Sequence, residues 1–199
     1  MTQTGRILEL ARRQAMLRAA DVRALGCSVQ LLQNLAKSGR LKRLSRGLYA
    51  LPEAEPTEHQ SLLEVCQRVP KAVICLSSAL QFHEIGTQLP SDVWIALPAG
   101  THAPTLAYPP LRIMRMGGEA YLAGVIESTR HGAPIRVYSA AKTIADCFKF
   151  RNKIGLDVAL EALKEAWRSR KVTMAELTHF ARVNRVEKVM QPYLEAVSA

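Results

Sequence analysis

Residues 19–51 read AADVRALGCSVQLLQNLAKSGRLKRLSRGLYAL, and a change of periodicity inside this stretch decides the N-terminal fold. Ala19 to Leu25 has the spacing of a short helix, and Gly26 stands where a helix stop needs a positive φ without a Cβ clash. Ser28 is a good N-cap for a helix over 29–38. Its apolar positions Val29, Leu31, Leu32, Leu35 and Ala36 form one stripe, Gln30, Gln33, Asn34 and Lys37 take the other face, and Gly39 closes it. The period then shortens: Leu41, Arg43 and Leu44, the turn Ser45-Arg46-Gly47, and Leu48-Tyr49-Ala50-Leu51 before the breaker Pro52 predict a two-stranded hairpin. Upstream, Ile7, Leu8, Leu10 and Ala11 predict an amphipathic helix over 4–14. Helix, short helix, tight turn, helix and basic hairpin is the order of a winged helix-turn-helix, in which the third helix enters the major groove and the hairpin wing lies along phosphates.

The charge is concentrated in the same place. Of 199 residues with a formal net charge of +10, residues 1–51 hold ten Lys and Arg against only Glu9 and Asp21, a balance of +8, and the other 148 residues carry +2. That is the footprint of a polyanion-binding module joined to a nearly neutral partner domain. Hydrophobic residues at 48% and charged residues at 22% give ordinary globular chemistry and exclude disorder or a fibrous repeat. No apolar run approaches the roughly 18 residues a membrane span needs, and the first residues show no signal-peptide pattern, so a soluble cytoplasmic protein is expected. Cys27, Cys66, Cys75 and Cys147 are scattered without C-x-x-C or zinc-finger spacing and are read as buried hydrophobes.

The stretch Pro52-Glu53-Ala54-Glu55-Pro56 is acidic and proline-bounded and reads as a linker, dividing the chain into 1–52 and 57–199. Thr57 is expected to cap a helix over 58–68, and Ala72 to Leu76 to form a buried strand. Ser77-Ser78 should cap a helix over 79–85. Further strands are expected at Val93 to Leu97, Leu111 to Met116, around Tyr121 to Glu127 and at Ile135 to Tyr138. Helices are expected at 140–150, 155–170, 173–184 and 185–197, with Ser139 and Thr173 as N-caps and Glu176 completing a capping box. The predicted class is α+β: an N-terminal winged helix-turn-helix followed by an α+β domain with a small sheet and C-terminal helices.

Gln and Asn make bidentate bonds to adenine and Arg or Lys to guanine, so Gln30, Gln33, Asn34 and Lys37 are suitable readers of the major groove. Arg40, Lys42, Arg43 and Arg46 on the hairpin are expected to contact phosphate, giving affinity and salt dependence without sequence information. Tyr49 is assigned to core packing. Apparent catalytic signals dissolve on inspection. Ser139-Ala140-Ala141-Lys142 fits S-x-x-K but lacks its companion motifs, which leaves Ser139 as an N-cap, and His83-Glu84 has no second His at metalloprotease spacing. Asp92, Asp146 and Asp157 are dispersed, Gly117-Gly118 is a turn, and His59, His102, His131 and His179 are assigned to surface or half-buried positions. No catalytic residue, metal site or cofactor is predicted. Lys149, Arg151 and Lys153, interleaved with Phe148 and Phe150, read either as a second nucleic-acid contact or as cations complementing a helix C-terminus, the latter preferred. Trp167 is assigned to packing.

The N-terminal pattern A-A-D-V-R-A-L-G-C-S followed by L-x-x-L-A-K-S-G-R-L-K-R-L-S-R-G-L-Y-A-L-P resembles the winged-helix domain of the AbiEi family of type IV antitoxins. I-C-L-S-S-A-L-Q-F-H-E-I-G, V-W-I-A-L-P and I-R-V-Y-S-A-A-K-T-I-A-D-C-F-K-F are similar to that family's C-terminal region. The resemblance implies a DNA-binding autorepressor acting on inverted repeats in its own promoter, as monomer or dimer. It also implies an antitoxin whose C-terminal domain counteracts a nucleotidyltransferase-like toxin, with or without direct contact. It assigns DNA contact to Ser28, Gln30, Gln33, Asn34, Lys37, Arg40, Arg43 and Arg46. Ser77, Ser78, Lys142 and Asp146 match its pattern without a chemical role. The competing readings are a nucleic-acid-processing enzyme with its site in 71–150 and a ligand-responsive regulator with its effector site in the second domain.

Overall fold

The computed structural model describes residues 2–14, 16–45, 47–53, 59–106, 108–130 and 133–198. Arg46, His131, the centre of the expected linker and its Thr57 cap lie outside the described residues. The chain is mixed α+β and divides into two compact units, Met1–Gln60 with Thr129–Pro134, and Ser61–Ser128 with Ile135–Ala199.

In the first unit α1 (Gln3–Arg13), α2 (Ala19–Ala24) and α3 (Gln30–Lys37) precede a hairpin of β2 (Lys42–Ser45) and β3 (Leu48–Ala50). The sequence did not announce β1 (Leu17–Arg18), which pairs antiparallel with β3 and completes a three-stranded sheet in the order β1-β3-β2. Two residues are too few to show a period of two. Ile7, Val22, Leu32, Leu35 and Tyr49 bury one face of each element in a common core, which includes Leu17 of β1. Gly26, at φ +67, makes the turn between α2 and α3, where the Cys27 N–H returns to the Val22 carbonyl at 3.0 Å. Ser28 does not act as the cap expected of it: Val29 occupies the N-cap position and no side chain caps α3 among the described residues. The Ser28 carbonyl instead accepts from the Leu31 N–H at 3.1 Å, a tight first turn.

The second unit contains α4 (Gln60–Arg68), β4 (Val73–Ile74), α5 (Leu76–Phe82), β5 (Val93–Pro98), β6 (Leu111–Met116) and α6 (Glu119–Leu122). They are followed by β7 (Val125–Arg130), β8 (Ala133–Tyr138), α7 (Ala140–Lys149), α8 (Arg151–Ile154), α9 (Leu156–Arg168), α10 (Met174–Asn184) and α11 (Glu187–Ser198). The sheet order is β6-β5-β4-β8-β7, with β4 antiparallel to β5 and parallel to β8, and β5 parallel to β6. Helix α7 is buried from Ala141 through Phe148 and is the central element of the unit's core, as its A-A-K-T-I-A-D-C-F composition of small and apolar residues allows.

Two expectations need correction. Ser77 and Ser78 lie inside α5, whose N-cap is Cys75. The Ser78 hydroxyl accepts from the Trp94 N–H at 3.0 Å and donates to the Asp92 carbonyl at 3.4 Å, tying the helix to the start of β5. The strand expected around Tyr121 is the short helix α6, and β7 begins only after Gly124, whose φ of +73 breaks the chain direction. The helix expected over 155–170 is α9, which starts after Gly155 at φ +95, and the sequence did not announce the short α8 before it. The caps Ser139 and Thr173 are as expected, the latter closing its box with Glu176.

Candidate nucleic-acid interface

Helix α3 is amphipathic because Leu32 and Leu35 are drawn into the core, which turns the residues between them outward. Gln30, Gln33, Asn34 and Lys37 follow the i, i+3, i+4, i+7 rule, lie on one face and are all exposed. The Gln30 side-chain amide donates to the Gln33 carbonyl oxygen at 3.2 Å, so two candidate base readers are already aligned along the helix. Ser28 precedes this face and is also exposed. Gly39, at φ +72, ends α3, and the Arg40 N–H returns to the Leu35 carbonyl at 2.9 Å.

In the wing, Lys42 opposes Ala50 and Arg43 opposes Tyr49, after which the register slips so that Ser45 opposes Leu48. The slip is a bulge at Leu44, which bends and twists the strand locally. Leu41, Leu48 and Tyr49 are buried beneath the strand, whereas Arg40, Lys42 and Arg43 are exposed. Tyr49 is therefore a packing residue, as its place in the sequence suggested.

The two acids of this region do not dilute its charge. Glu9 is bridged by Arg12 and Arg13 at 3.7 and 3.1 Å on α1. Asp21 is held by the Arg18 guanidinium at 2.8 and 3.2 Å and accepts from the Arg18 N–H at 2.8 Å, which caps α2. The side-chain hydrogen bond from the guanidinium to Asp21 raises the Arg18 pKa above its ordinary value, against the effect of burial. Among the described residues no carboxylate bridges Lys37, Arg40 or Lys42. The two acids occupy the scaffold, and Lys37, Arg40 and Lys42 keep their field for an external anion.

Residues 6–52 match the family model described as transcriptional regulator, AbiEi antitoxin. The match covers the helices and hairpin of the N-terminal unit, whose exposed α3 face and following strand carry amide and cationic side chains. No curated protein matches the chain. Among solved structures, the crystal structure of the RV2827C protein from Mycobacterium tuberculosis has a TM-score of 0.61 at 14% identity, over 99% of this chain and 80% of that one. At that identity the likeness is one of fold. No helix among the described residues is long and apolar enough to cross a membrane.

In the second unit, Lys142 and Asp146 form a buried polar lock with Asn184. The Lys142 Nζ donates to Asp146 Oδ1 at 2.6 Å and lies 4.3 Å from the centre of the Tyr138 ring. Asn184 of α10 donates its amide to the same Asp146 oxygen at 2.8 Å. Both ends of the ion pair are 0% exposed. Burial pushes the Asp146 carboxyl up and the Lys142 ammonium down, each toward neutrality, and their mutual attraction opposes both shifts. The S-x-x-K spacing is thereby explained: Ser139 Oγ accepts from the Lys142 backbone N–H at 3.4 Å as a cap, and the amine reaches forward to Asp146 instead. Asn184 carried no sequence signal, because its partner is 38 residues away and on another helix.

The remaining candidates separate. Asp92 pairs with Arg112 at 2.7 Å, and that guanidinium lies over the Trp94 ring at 5.3 Å. Asp146 is sealed in the core, and among the described residues no group of three or more His, Cys, Asp or Glu side chains is placed to hold a metal ion. Phe148 is buried and stacks on Tyr193 at 5.5 Å, so it is unavailable to stack on a base. Arg151 donates to the Phe148 carbonyl at 2.9 Å at the end of α7, which is the helix-terminus role preferred for this basic run. Trp167 packs against the helical core.

Proposed function

We propose that this chain is a sequence-specific autorepressor and type IV antitoxin. Residues 1–52 form the regulator: α3 reads base edges through Gln30, Gln33, Asn34 and Lys37, with Ser28 at its entry, and Arg40, Lys42, Arg43 and Arg46 bind phosphate. Residues 57–199 form the domain that counteracts a nucleotidyltransferase-like toxin. Two protomers on an inverted repeat would give the specificity that one short helix lacks. The observation that carries the reading is the segregation of charge: the two acids of residues 1–51 are paired away from α3, Glu9 with Arg12 and Arg13 of α1 and Asp21 with Arg18 of β1, and the polar face of α3 leads directly into an exposed basic strand.

The test is fluorescence anisotropy with a duplex from immediately upstream of the gene and a scrambled duplex of equal length. With four or five phosphates neutralised per protomer, the log–log salt slope is about −4, an affinity loss of about 250-fold between about 50 and 200 mM salt. Lys42→Ala/Arg43→Ala removes two contacts and brings the slope to about −2 on both duplexes. Gln33→Ala/Asn34→Ala lowers affinity for the upstream duplex and narrows its advantage over the scrambled one. Equal binding of both duplexes by the unaltered protein overturns the specific repressor, and an unchanged slope in the first variant removes the wing from it.

A further inference from the structure

We propose that the second unit binds a small phosphorylated ligand, of the size and charge of a nucleoside polyphosphate, in a pocket between the turn before α6 and the C-terminal ends of α7 and α10. The pocket has a volume of about 500 Å³, within the range of small-molecule sites. Its wall is mostly polar and basic: Lys149 is the last residue of α7, Arg182 lies in the last turn of α10 and Arg185 follows it, with His179 one turn earlier. Gly117 and Gly118 form the opposite side and present backbone without side chains.

A cation near a helix C-terminus is ordinarily explained by the helix dipole, and Lys149 alone would need nothing more. Arg185 is different. It holds φ +58 and ψ +42, the left-handed conformation in which glycine or asparagine normally ends a helix. The left-handed turn closes α10, with the Val186 N–H on the Ala181 carbonyl at 2.9 Å, and it sets Arg185 on the rim of the pocket. Arg182 bonds Glu187 through Nε at 3.0 Å, so the planar guanidinium is held in place while its terminal amino groups remain the ones suited to a phosphate.

The buried lock sets these cations in register. Asp146 stands three residues before Lys149, Asn184 stands between Arg182 and Arg185, and the 2.8 Å bond between Asp146 and Asn184 joins the two helices at that level. The cations are thus placed before a ligand arrives, which lowers the ordering cost of binding. Against Lys149, Arg182 and Arg185 the pocket sets Glu119, with Glu187 engaged by Arg182. That balance favours a ligand with more than one negative charge. A concave site suits a terminal polyphosphate better than a continuous nucleic-acid backbone, which is followed along an open groove.

The experiment is isothermal titration of the full-length protein with ATP and, separately, with inorganic phosphate. The expected result is saturable ATP binding, weaker binding of phosphate, and at least tenfold loss of ATP affinity in both Lys149→Gln and Arg185→Gly. Arg185→Gly keeps the left-handed backbone conformation, and unchanged urea unfolding of that variant shows that lost binding is not lost folding. Equal affinity for phosphate and ATP would show that the pocket takes a single free anion and would overturn the polyphosphate assignment. Lys42→Ala/Arg43→Ala serves as the control for adventitious binding to the basic first unit and should leave ATP affinity unchanged. ATP affinity weaker than about 1 mM, affinity undiminished in the two pocket variants, or affinity lost only in the wing variant overturns the proposal.

Discussion

Asp146→Ala removes the acceptor shared by Lys142 and Asn184, and its cost follows from the geometry of the lock. The Lys142 ammonium is 0% exposed and its anionic partner lies at 2.6 Å. Breaking a buried pair by deleting one member typically costs about 3–5 kcal/mol, because the surviving charge stays buried without compensation. The Asn184 amide loses the same oxygen, at about 1–3 kcal/mol for an orphaned donor. A loss of about 4–8 kcal/mol is therefore expected, a large part of the roughly 5–15 kcal/mol that holds a typical domain. Lys142→Met/Asp146→Leu removes both charges and leaves only Asn184 unpaired, so the double variant should lie within about 1–3 kcal/mol of the unaltered protein. Urea unfolding followed by tryptophan fluorescence reads this directly, since Trp94 and Trp167 both belong to the second unit. A single variant costing less than about 1 kcal/mol, or a double variant no more stable than the single one, would refute the account of a desolvated, mutually dependent pair.

The imidazole of His83 lies 2.7 Å from the Tyr138 carbonyl, and burial pushes its pKa below the ordinary 6.5 despite that hydrogen bond. The folded state therefore favours the neutral ring. The stability this contributes is complete above pH 6.5 and is lost as pH falls through the lowered folded value, so urea midpoints measured from about pH 7.5 to about 5 should fall more steeply in the unaltered protein than in His83→Gln. Parallel profiles would refute it. Gly124→Ala would place a Cβ 2.7 Å from Lys142 Cβ and 2.9 Å from Phe180 Cε1 at φ +73, and a loss of about 2–4 kcal/mol is expected in the same unfolding assay; a change below about 0.5 kcal/mol would show that neighbours yield freely. Burial pushes the Cys66 thiol up to about 11 and those of Cys75 and Cys147 further up, so these three should resist a thiol reagent near neutral pH and react only on unfolding, as a colorimetric thiol count will show.

How much was legible differs between the two units. Contacts of the regulator domain run between neighbours in the chain, so local signals carried it: Gly26 and Gly39 mark the helix ends they were expected to mark, and Leu32 and Leu35 set the buried face of α3. The residues opposite that face, Gln30, Gln33, Asn34 and Lys37, follow from periodicity alone. What local reasoning missed there was β1, because the pairing of Leu17 with Tyr49 spans most of the domain. In the second unit the error at Ser77-Ser78 has the same origin. The dipeptide has cap chemistry, but Ser78 is drawn into the helix by the Trp94 N–H and the Asp92 carbonyl, neither of which is near in sequence.

Composition and spacing therefore determined the class of the protein, the basic character of its first 51 residues and which residues share the exposed polar face of α3, since each depends on residues within a few positions of one another. Tertiary structure alone decided the mixed order of the second sheet, the union of Lys142, Asp146 and Asn184, and the gathering of Lys149, Arg182 and Arg185 around one pocket. The physical reason lies in the cost of burial. A lysine at i and an aspartate at i+4 are equally at home on a solvated helix face, and only the packing of α10 over α7 turns that pair into a desolvated lock that requires Asn184 as its third member.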